Sequence, residues 1–258
     1  MHPRNFQLYL SFVRRELFSR YAGSVSGAAW ALLHPLAQLA VLSFVFTQIF
    51  RIGIEGRPGG ASYTAFVAVA LWPWLMFSES LTRGLGAVTA NGELVKKVAF
   101  PHVLLVLSSV SACYLVHMLG FVAVLLALAL FGDGIHLSGL PWVLLLLVAH
   151  FLFTFGAACA LAALHTFLKD VEHVVAVALS IVFYATPIVY PVSLVPERYR
   201  GLFAANPLAY FSERFRDFIL SGGMPAAGDL VALAAGVVVA ACGFWLFQRL
   251  SPYFEELL

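Results

Sequence analysis

Charged residues are scarce in this sequence. They make up 11% of its 258 residues, whereas 62% are hydrophobic. A soluble domain carries roughly a quarter charged residues and about half apolar ones. This deficit excludes an ordinary soluble domain, and together with a mean hydropathy of +0.92 it predicts an integral membrane protein. The net charge of +2 is too small to indicate a nucleic-acid partner.

Cysteine and lysine are also rare, with three of each. Every cysteine lies within an apolar run, where it acts as a small apolar residue, so no disulfide framework is expected. No lysine follows the glycine that the P-loop pattern G-x-x-x-x-G-K-[ST] requires, and H-E-x-x-H is absent. No metal site is predicted either. The cysteines are Cys113, Cys159 and Cys242, and the lysines are Lys96, Lys97 and Lys169.

The sequence also has no cluster of carboxylates inside its apolar runs, of the kind that ion-coupled transporters use. With neither a nucleotide site nor an evident ion-coupling site, the chain has no energy source of its own. If it transports a substrate actively, the energy must come from another subunit.

Six apolar runs approach or exceed the roughly 20 residues that span about 30 Å of hydrocarbon. We therefore predict an all-α integral membrane protein with six transmembrane helices. No repeat or low-complexity linker divides it, so residues 1–258 form one domain. Spans one to five fall in residues 28–190, and span six with a tail falls in residues 229–258. The runs cover residues 28–50, 63–81, 103–131, 140–164, 174–190 and 230–250.

Lysine and arginine are enriched on the cytoplasmic side of membrane proteins, which orients the chain. With the N-terminus inside, nine of the 15 basic residues, including all three lysines, fall in cytoplasmic segments. Both termini are therefore predicted to be cytoplasmic. The first long apolar run begins near residue 28, so no cleavable signal peptide is expected.

Residues 5–21 have the pattern of an amphipathic helix, and residues 1–27 are predicted as a helix at the cytoplasmic membrane interface. Its polar side, which includes Arg14 and Arg15, would meet either anionic lipid headgroups or a partner protein. The apolar stripe comprises Phe6, Leu10, Val13, Leu17 and Tyr21.

The segment from Ala90 to Pro101 is a polar island between two apolar runs. Asn91 is placed to cap a helix, Glu93 and Lys97 have the spacing of a helical ion pair, and Phe100-Pro101 would end the helix. This pattern indicates either an ordinary capped loop or a charged helix that a partner outside the bilayer can push. The short polar loop 165–173, with Lys169 and Asp170, would add a second contact surface beside it.

Residues 191–228 are predicted to form short helices on the outer side, between spans five and six. Asn206 and Pro207 have the chemistry of a helix start, and Gly222 that of a stop. These short helices either lie on the outer surface or dip back into the protein. Leu208, Phe211, Phe215 and Phe218 form an apolar stripe, and Glu213, Arg214, Arg216 and Asp217 fill the remaining faces.

Glu79, Arg83, His117 and His150 are ionisable residues within or near the ends of the apolar runs. Glu79 is expected to pair with Arg83 one helical turn later, because an unpaired carboxylate there would be costly. For His117 and His150, a hydrogen bond between helices competes with a functional role, and two isolated histidines do not form a metal site.

An ordered set of residues resembles the permease subunit of polysaccharide-exporting ABC transporters of the ABC-2 type, the exporters of O-antigen, capsule and teichoic acid. The similarity covers almost the whole chain. Ser26 and His102 depart from the common pattern of this family without affecting the architecture. The set comprises Arg14-Arg15-Glu16, Arg20-Tyr21, Gly23-Ser24-Val25, Gly27, Trp30, Pro35, Val95-Lys96-Lys97, Phe100-Pro101, Thr186-Pro187-Ile188, Tyr190-Pro191 and Asn206-Pro207-Leu208.

The resemblance implies a homodimer in the bacterial inner membrane that exports a lipid-linked polysaccharide such as an O-antigen. It implies two separate ATPase subunits, which bind ATP and Mg²⁺, so this chain would be no enzyme and would hold no cofactor. It also implies outer gate helices in residues 196–223. The predicted ATPase contacts are Arg14, Arg15, Glu16, Asn91, Glu93, Lys96, Lys97, Lys169 and Asp170.

Alternatives remain at this level. The same architecture suits an ABC-2 exporter of drugs or lipids, and an intramembrane enzyme using His117 or His150, or a passive channel, are further alternatives. Aromatic rings offer apolar faces to sugars, but helix packing and interfacial belts also use them. The aromatic residues predicted to line a sugar path are Tyr114, Phe153, Phe183, Tyr184 and Tyr190.

Overall fold

The computed structural model describes residues 3–20, 29–50 and 61–258, which are helical with connecting turns. Tyr21 and the segment Gly23 to Gly27 lie outside these ranges. The helices are α1 (Pro3–Ser19), α2 (Trp30–Phe44, continued by a π-helical turn Val45–Ile49), α3 (Tyr63–Gly86), α4 (Gly92–Lys97), α5 (Val103–Leu130), α6 (Leu140–Phe167), α7 (Val171–Tyr184), α8 (Glu197–Ala204), α9 (Pro207–Arg216, continued by a π-helical turn Asp217–Ser221), α10 (Ala227–Leu250) and α11 (Phe254–Leu257).

Five helices in the described part of the chain are long and apolar enough to cross a membrane. They correspond to five of the six predicted spans and confirm an all-helical membrane protein. Helix α3 continues to Gly86, beyond the predicted end at Leu81. They are Trp30–Ile49, Tyr63–Gly86, Val103–Leu130, Leu137–Phe167 and Ala227–Leu257.

The predicted fifth span, residues 174–190, is not one continuous helix. Helix α7 has 14 residues and ends at Tyr184, which at about 1.5 Å per residue is shorter than the hydrocarbon core. Pro187 and Pro191 lack a backbone N–H, and each disfavours a helical conformation in the residue before it. The apolar run therefore extends beyond the helix into irregular backbone.

Helix α3 is the central helix of the bundle and packs against α2, α5, α6, α7 and α9. Its residues from Ala65 to Trp72 are all buried, as expected of a helix that is apolar on every side. Its first residue, Tyr63, lies beside the segment that follows α7, and its last, Gly86, leads towards α4. We call the end of the molecule at Tyr63 the α9 end, and the end at Gly86 the α4 end.

Helices α6 and α10 approach each other closely through glycines. A Cβ atom on Gly243 would lie 1.9 Å from the carbonyl oxygen of Gly156, and one on Gly156 would lie 2.3 Å from the carbonyl oxygen of Val239. Small residues are the usual means by which membrane helices bring their backbones together. The last span is therefore held against α6 along its length.

Helix α1 forms as predicted and packs against α5, but its buried face differs from the predicted stripe. Phe12 and Val13 are buried, whereas Phe6 and Leu10 are exposed. The Phe12 ring packs edge-on against Phe100, with centroids 5.5 Å apart. Periodicity does not reveal that Phe12 has an aromatic partner elsewhere in the chain.

Candidate functional site

Helix α4 is the predicted charged helix, and it carries the predicted ion pair. Lys97 Nζ lies 2.6 Å from Glu93 Oε2, and these side chains are 73% and 82% exposed. Lys96 is also exposed, and Val95 is the one buried residue of this helix. The helix ends at Lys97, before Phe100-Pro101. Because the side chains of Glu93, Lys96 and Lys97 are exposed, the charges of this helix face outward.

The predicted capping role of Asn91 is wrong. Its side chain makes no capping hydrogen bond to α4. Instead Asn91 Nδ2 donates to the Ala87 carbonyl at 2.8 Å, and its Oδ1 accepts from Arg15 Nη2 at 2.6 Å. The amide is used in these bonds because a 3-10 turn, Thr89–Asn91, precedes α4 directly.

Helix α1 is therefore attached to the α4 end by hydrogen bonds and ion pairs. Arg15 bonds to Asn91, and Glu16 lies 3.5 Å from Arg83 Nη1 of α3. Arg14 is exposed, with its guanidinium over the Phe18 ring. Of the three predicted α1 contact residues, two are tied to neighbouring elements and Arg14 faces outward.

Lys169 and Asp170 are exposed in the turn between α6 and α7. The C-terminal segment joins this turn to α4. The buried Phe254 ring packs against the Phe167 ring, with centroids 6.4 Å apart, and Leu258 packs beside Gly92. All nine predicted ATPase-contact residues thus lie at the α4 end.

Glu79 lies in a polar cluster within α3. The predicted pair with Arg83 is present, with Nε donating to Oε1 at 2.9 Å. Arg20 Nη2 also lies 2.8 Å from Oε1, and His117 Nε2 lies 2.6 Å from Oε2. One carboxylate therefore links the end of α1 to α3 and α5, and the interhelical hydrogen bond considered for His117 is confirmed.

His150 also bonds between helices. Its Nδ1 lies 2.7 Å from Tyr114 Oη, which lies 2.8 Å from Thr154 Oγ1, and all three side chains are buried. Among the described residues, no group of three or more His, Cys, Asp or Glu is arranged to hold a metal ion.

Helix α9 forms as its sequence predicts. Asn206 Oδ1 accepts from the Leu208 N–H at 2.9 Å, Pro207 follows at the first position, and Gly222 ends the π-helical turn at a φ of 66°. The helix packs against α3 and α6. Its apolar stripe, Leu208, Phe211, Phe215 and Phe218, is buried.

Arg216, one of the charged residues on the remaining faces of α9, is buried, with its side chain 1% exposed. Its Nε donates to the Phe66 carbonyl at 2.9 Å, Nη1 to the Pro187 carbonyl at 2.7 Å and Nη2 to the Ile188 carbonyl at 2.6 Å. Nη1 also donates to Glu213 at 2.8 Å. Burial lowers the pKa of Arg216 to about 10, so the guanidinium stays charged at neutral pH.

The irregular segment after α7 is held by side-chain donors from other elements. Besides the two bonds from Arg216, Asn206 Nδ2 donates to the Ala185 carbonyl at 3.2 Å and Tyr63 Oη to the Val189 carbonyl at 2.7 Å. Buried backbone carbonyls need such partners once they leave a helix. α9 and the start of α3 therefore stabilise the broken end of the fifth apolar run.

Arg214 joins α9 to the start of α10. Its Nε and Nη2 donate to the two carboxylate oxygens of Asp229 at 2.8 and 2.7 Å, and it also pairs with Asp217. Tyr210 Oη donates to Asp229 at 2.8 Å. These hydrogen bonds raise the pKa of Arg214, because they favour its charged form.

Among the predicted aromatic path residues, Tyr184 contacts both Phe183 and Tyr190, whereas Tyr114 and Phe153 have other partners. Tyr114 is buried and bonded to His150. The Phe153 ring packs against the Phe211 ring, with centroids 6.2 Å apart, and Phe183 packs edge-on against Trp74. Tyr184 is 70% exposed, and its carbonyl accepts from the Tyr190 hydroxyl.

Comparison with known proteins identifies the family. The family described as ABC-2 type transporter matches residues 7–220. The chain belongs to the ABC-2 type transporter family. It is 32% identical to the O-antigen export system permease protein RfbA of Myxococcus xanthus, covering 96% of this chain and 94% of that protein. A protein of the same name from Klebsiella pneumoniae is 28% identical, covering 98% and 95%.

A more distant relative of this ABC-2 protein handles a different polymer. It is the polysialic acid transport protein KpsM of Escherichia coli, 22% identical over 93% of this chain and 89% of that protein. The resemblance to the ABC-2 family that the sequence motifs indicated is thereby confirmed.

Sequence reasoning missed several residues that organise this ABC-2 protein, notably Arg20, Tyr63, Asp229 and Phe254. Asp229 carried a usable signal, because a carboxylate at the start of an apolar run needs a cation. Arg20 belongs to the motif set of the family resemblance, which gives it no contact or role. Nothing in the local sequence indicates that Tyr63 or Phe254 contacts a distant segment.

Proposed function

We propose that this chain is the permease subunit of an ABC transporter that exports a polysaccharide, such as an O-antigen, across the bacterial inner membrane. The observation that carries the proposal is the similarity, over 96% or more of the chain, to O-antigen export permeases from two genera. The polysialic acid transport protein is a more distant relative. An O-antigen-type glycan is therefore the first substrate to test, and the glycan is expected to be lipid-linked.

ATP hydrolysis takes place on two separate ATPase subunits, which bind ATP and Mg²⁺, and this chain is not an enzyme. The exposed charges of α4 and of the 169–170 turn form the docking surface, together with Arg14, Arg15 and Glu16 of α1. The hydrogen bond between Arg15 and Asn91 supports this role, because a push on α4 would reach α1 directly.

The chain crosses the membrane six times, with both termini in the cytoplasm. The fifth crossing combines α7 with the irregular residues 185–195, since backbone outside a helix is tolerated at that depth when protein donors satisfy it. Residues 3–19 lie at the cytoplasmic interface among membrane lipids. Two copies of the chain form the permease, and the glycan passes between them.

Helices α8 and α9 form the outer gate, with α9 inserted into the protein and α8 lying on its surface. The burial of the α9 stripe and of Arg216 supports insertion. Gate residues are Asn206, Pro207, Phe211, Glu213, Arg214, Phe215, Arg216 and Asp217. Among the aromatic residues, Tyr184 and Tyr190 adjoin this region and are the first candidates for contact with the passing glycan.

The proposal is tested by expressing the chain with the ATPase encoded beside it and purifying both in mild detergent. A stable complex that hydrolyses ATP, and surface glycan that disappears when the chain is deleted, are the expected results. Lys96→Glu with Lys97→Glu should abolish ATPase co-purification while leaving membrane insertion intact. Arg198→Glu, an exposed arginine on α8, is the matched control. Unchanged co-purification of the double variant would contradict the docking surface, and unchanged surface glycan in the deletion strain would contradict the function.

A further inference from the structure

A cavity of about 700 Å³ lies beside the Glu79 cluster, between α2, α3 and α5. Its volume is within the roughly 300–1,000 Å³ of small-molecule sites. Neither the docking surface nor the outer gate uses it. We call it the Glu79 cavity, and it is lined by Arg20, Trp30, Ala31, His34, Pro35, Leu75, Ser78, Glu79, Thr82, Arg83, Val116 and His117.

One wall of the Glu79 cavity is polar and can both donate and accept hydrogen bonds. The Glu79 and Arg83 side chains are 34% and 36% exposed, so each combines ion pairing with access to a ligand. Thr82 Oγ1 donates to the Ser78 carbonyl at 2.9 Å, which leaves its oxygen free to accept. His117 Nδ1 is buried and has no hydrogen-bond partner among the described residues.

The opposite wall is formed by the start of α2, where Trp30 is 56% exposed. An indole offers a large flat apolar face and a single N–H donor. A planar apolar surface facing a row of mixed donors and acceptors suits a ligand with C–H bonds on one face and hydroxyl groups around its edge. A pyranose ring has that arrangement.

The charges near the cavity argue against an anionic ligand. Arg20 and Arg83 are balanced by Glu79 and Glu16, which lie 2.8–3.5 Å from them. Because the cavity has no excess positive charge, a phosphate bound there would gain little attraction and would lie close to the Glu79 carboxylate. A neutral polyhydroxyl group meets no such penalty, because each hydroxyl can donate to a carboxylate and accept from a guanidinium.

We propose that the Glu79 cavity binds a neutral sugar unit of the exported glycan, with Trp30 stacking on the ring and Glu79 and Arg83 bonding to its hydroxyl groups. This inference rests on the proposed function. It also joins substrate binding to the energy source, because Glu79 contacts Arg20 at the end of α1 while Arg15 of the same helix contacts Asn91 beside α4.

The test places p-benzoylphenylalanine at position 30 in cells that make the glycan, with the partner ATPase in a hydrolysis-deficient form to hold the substrate. After irradiation, the chain is purified and blotted for attached glycan. Trp245, an exposed tryptophan of α10 that does not line the cavity, carries the same substitution as the control. We expect a ladder of glycan-linked species at position 30 and none at position 245. A second probe at Thr82, on the polar wall, should give the same ladder.

Export measurements give an independent readout. Trp30→Ala should slow glycan export roughly two- to tenfold, and Trp30→Phe should restore part of it, because stacking by an aromatic ring is worth about 0.5–1.5 kcal/mol. Trp245→Ala should export at the normal rate.

Normal export by the probe-bearing chains with no ladder at either position 30 or position 82 would overturn the site while leaving the permease function standing. An equal ladder at position 245 would also overturn it. Failure of the unmodified chain to export glycan would instead refute the proposed function.

Discussion

Replacing Arg216 by methionine should destabilise the protein strongly. The change removes donors from the buried carbonyls of Phe66, Pro187 and Ile188 and leaves Glu213 without its partner. An unsatisfied buried carbonyl costs about 1–3 kcal/mol, and removing one member of a buried ionic network about 3–5 kcal/mol. Methionine does not form a carbonyl hydrogen bond, so we expect a loss near the upper value.

A loss of about 3–5 kcal/mol corresponds to a decrease in Tm of roughly 6–20 °C for a chain of this size. The assay is the thermal loss of the monodisperse size-exclusion peak of purified protein in mild detergent. Arg216→Lys should fall between the wild type and Arg216→Met. It retains a charge, but one ammonium does not reproduce the guanidinium fork that reaches all three carbonyls.

The matched control is Arg198→Met. Arg198 is exposed on α8, and its guanidinium stacks over the Tyr199 ring. Its removal should lower Tm by no more than about 2–4 °C, the shift expected for 1 kcal/mol. If Arg216→Met lowered Tm no more than Arg198→Met, the argument that Arg216 holds the irregular segment after α7 would be refuted.

Three further substitutions have defined outcomes in the same thermal assay. Gly243→Ala should destabilise the protein by at least about 1–3 kcal/mol, because the new Cβ would lie 1.9 Å from a backbone oxygen. The control, Gly86→Ala, should be tolerated because there is open space around that position. Equal Tm values for the two variants would contradict the close packing of α6 and α10. Asp229→Asn should cost about 3–5 kcal/mol because it leaves Arg214 without its bidentate partner, and an unchanged Tm would contradict that pair. Lys97→Ala should change stability by about 1 kcal/mol or less because the ion pair is exposed, and a larger loss would mean that α4 has a structural role.

The features predicted correctly depend on short stretches of sequence. The start of α9 at Asn206-Pro207, its buried stripe and its end at Gly222 are all specified within about one helix length. The pair between Glu93 and Lys97 is likewise local. The side-chain contacts that were not predicted have partners distant in the chain. Asn91 bonds to Arg15 rather than capping α4, and Phe12 is buried against Phe100.

The sequence alone determined the membrane class, the long helices and the family, because length, hydropathy and an ordered motif set are properties of the linear chain. It also placed the charged α4 helix and the α9 helix. Only the tertiary structure decided that Arg216 is buried, since its partner Phe66 lies 150 residues away in the chain. It likewise decided that Glu79 joins α1, α3 and α5 rather than pairing with Arg83 alone. A charged residue in a short helix shows no local sign of burial, because burial depends on which distant carbonyls and carboxylates the fold brings within hydrogen-bonding distance.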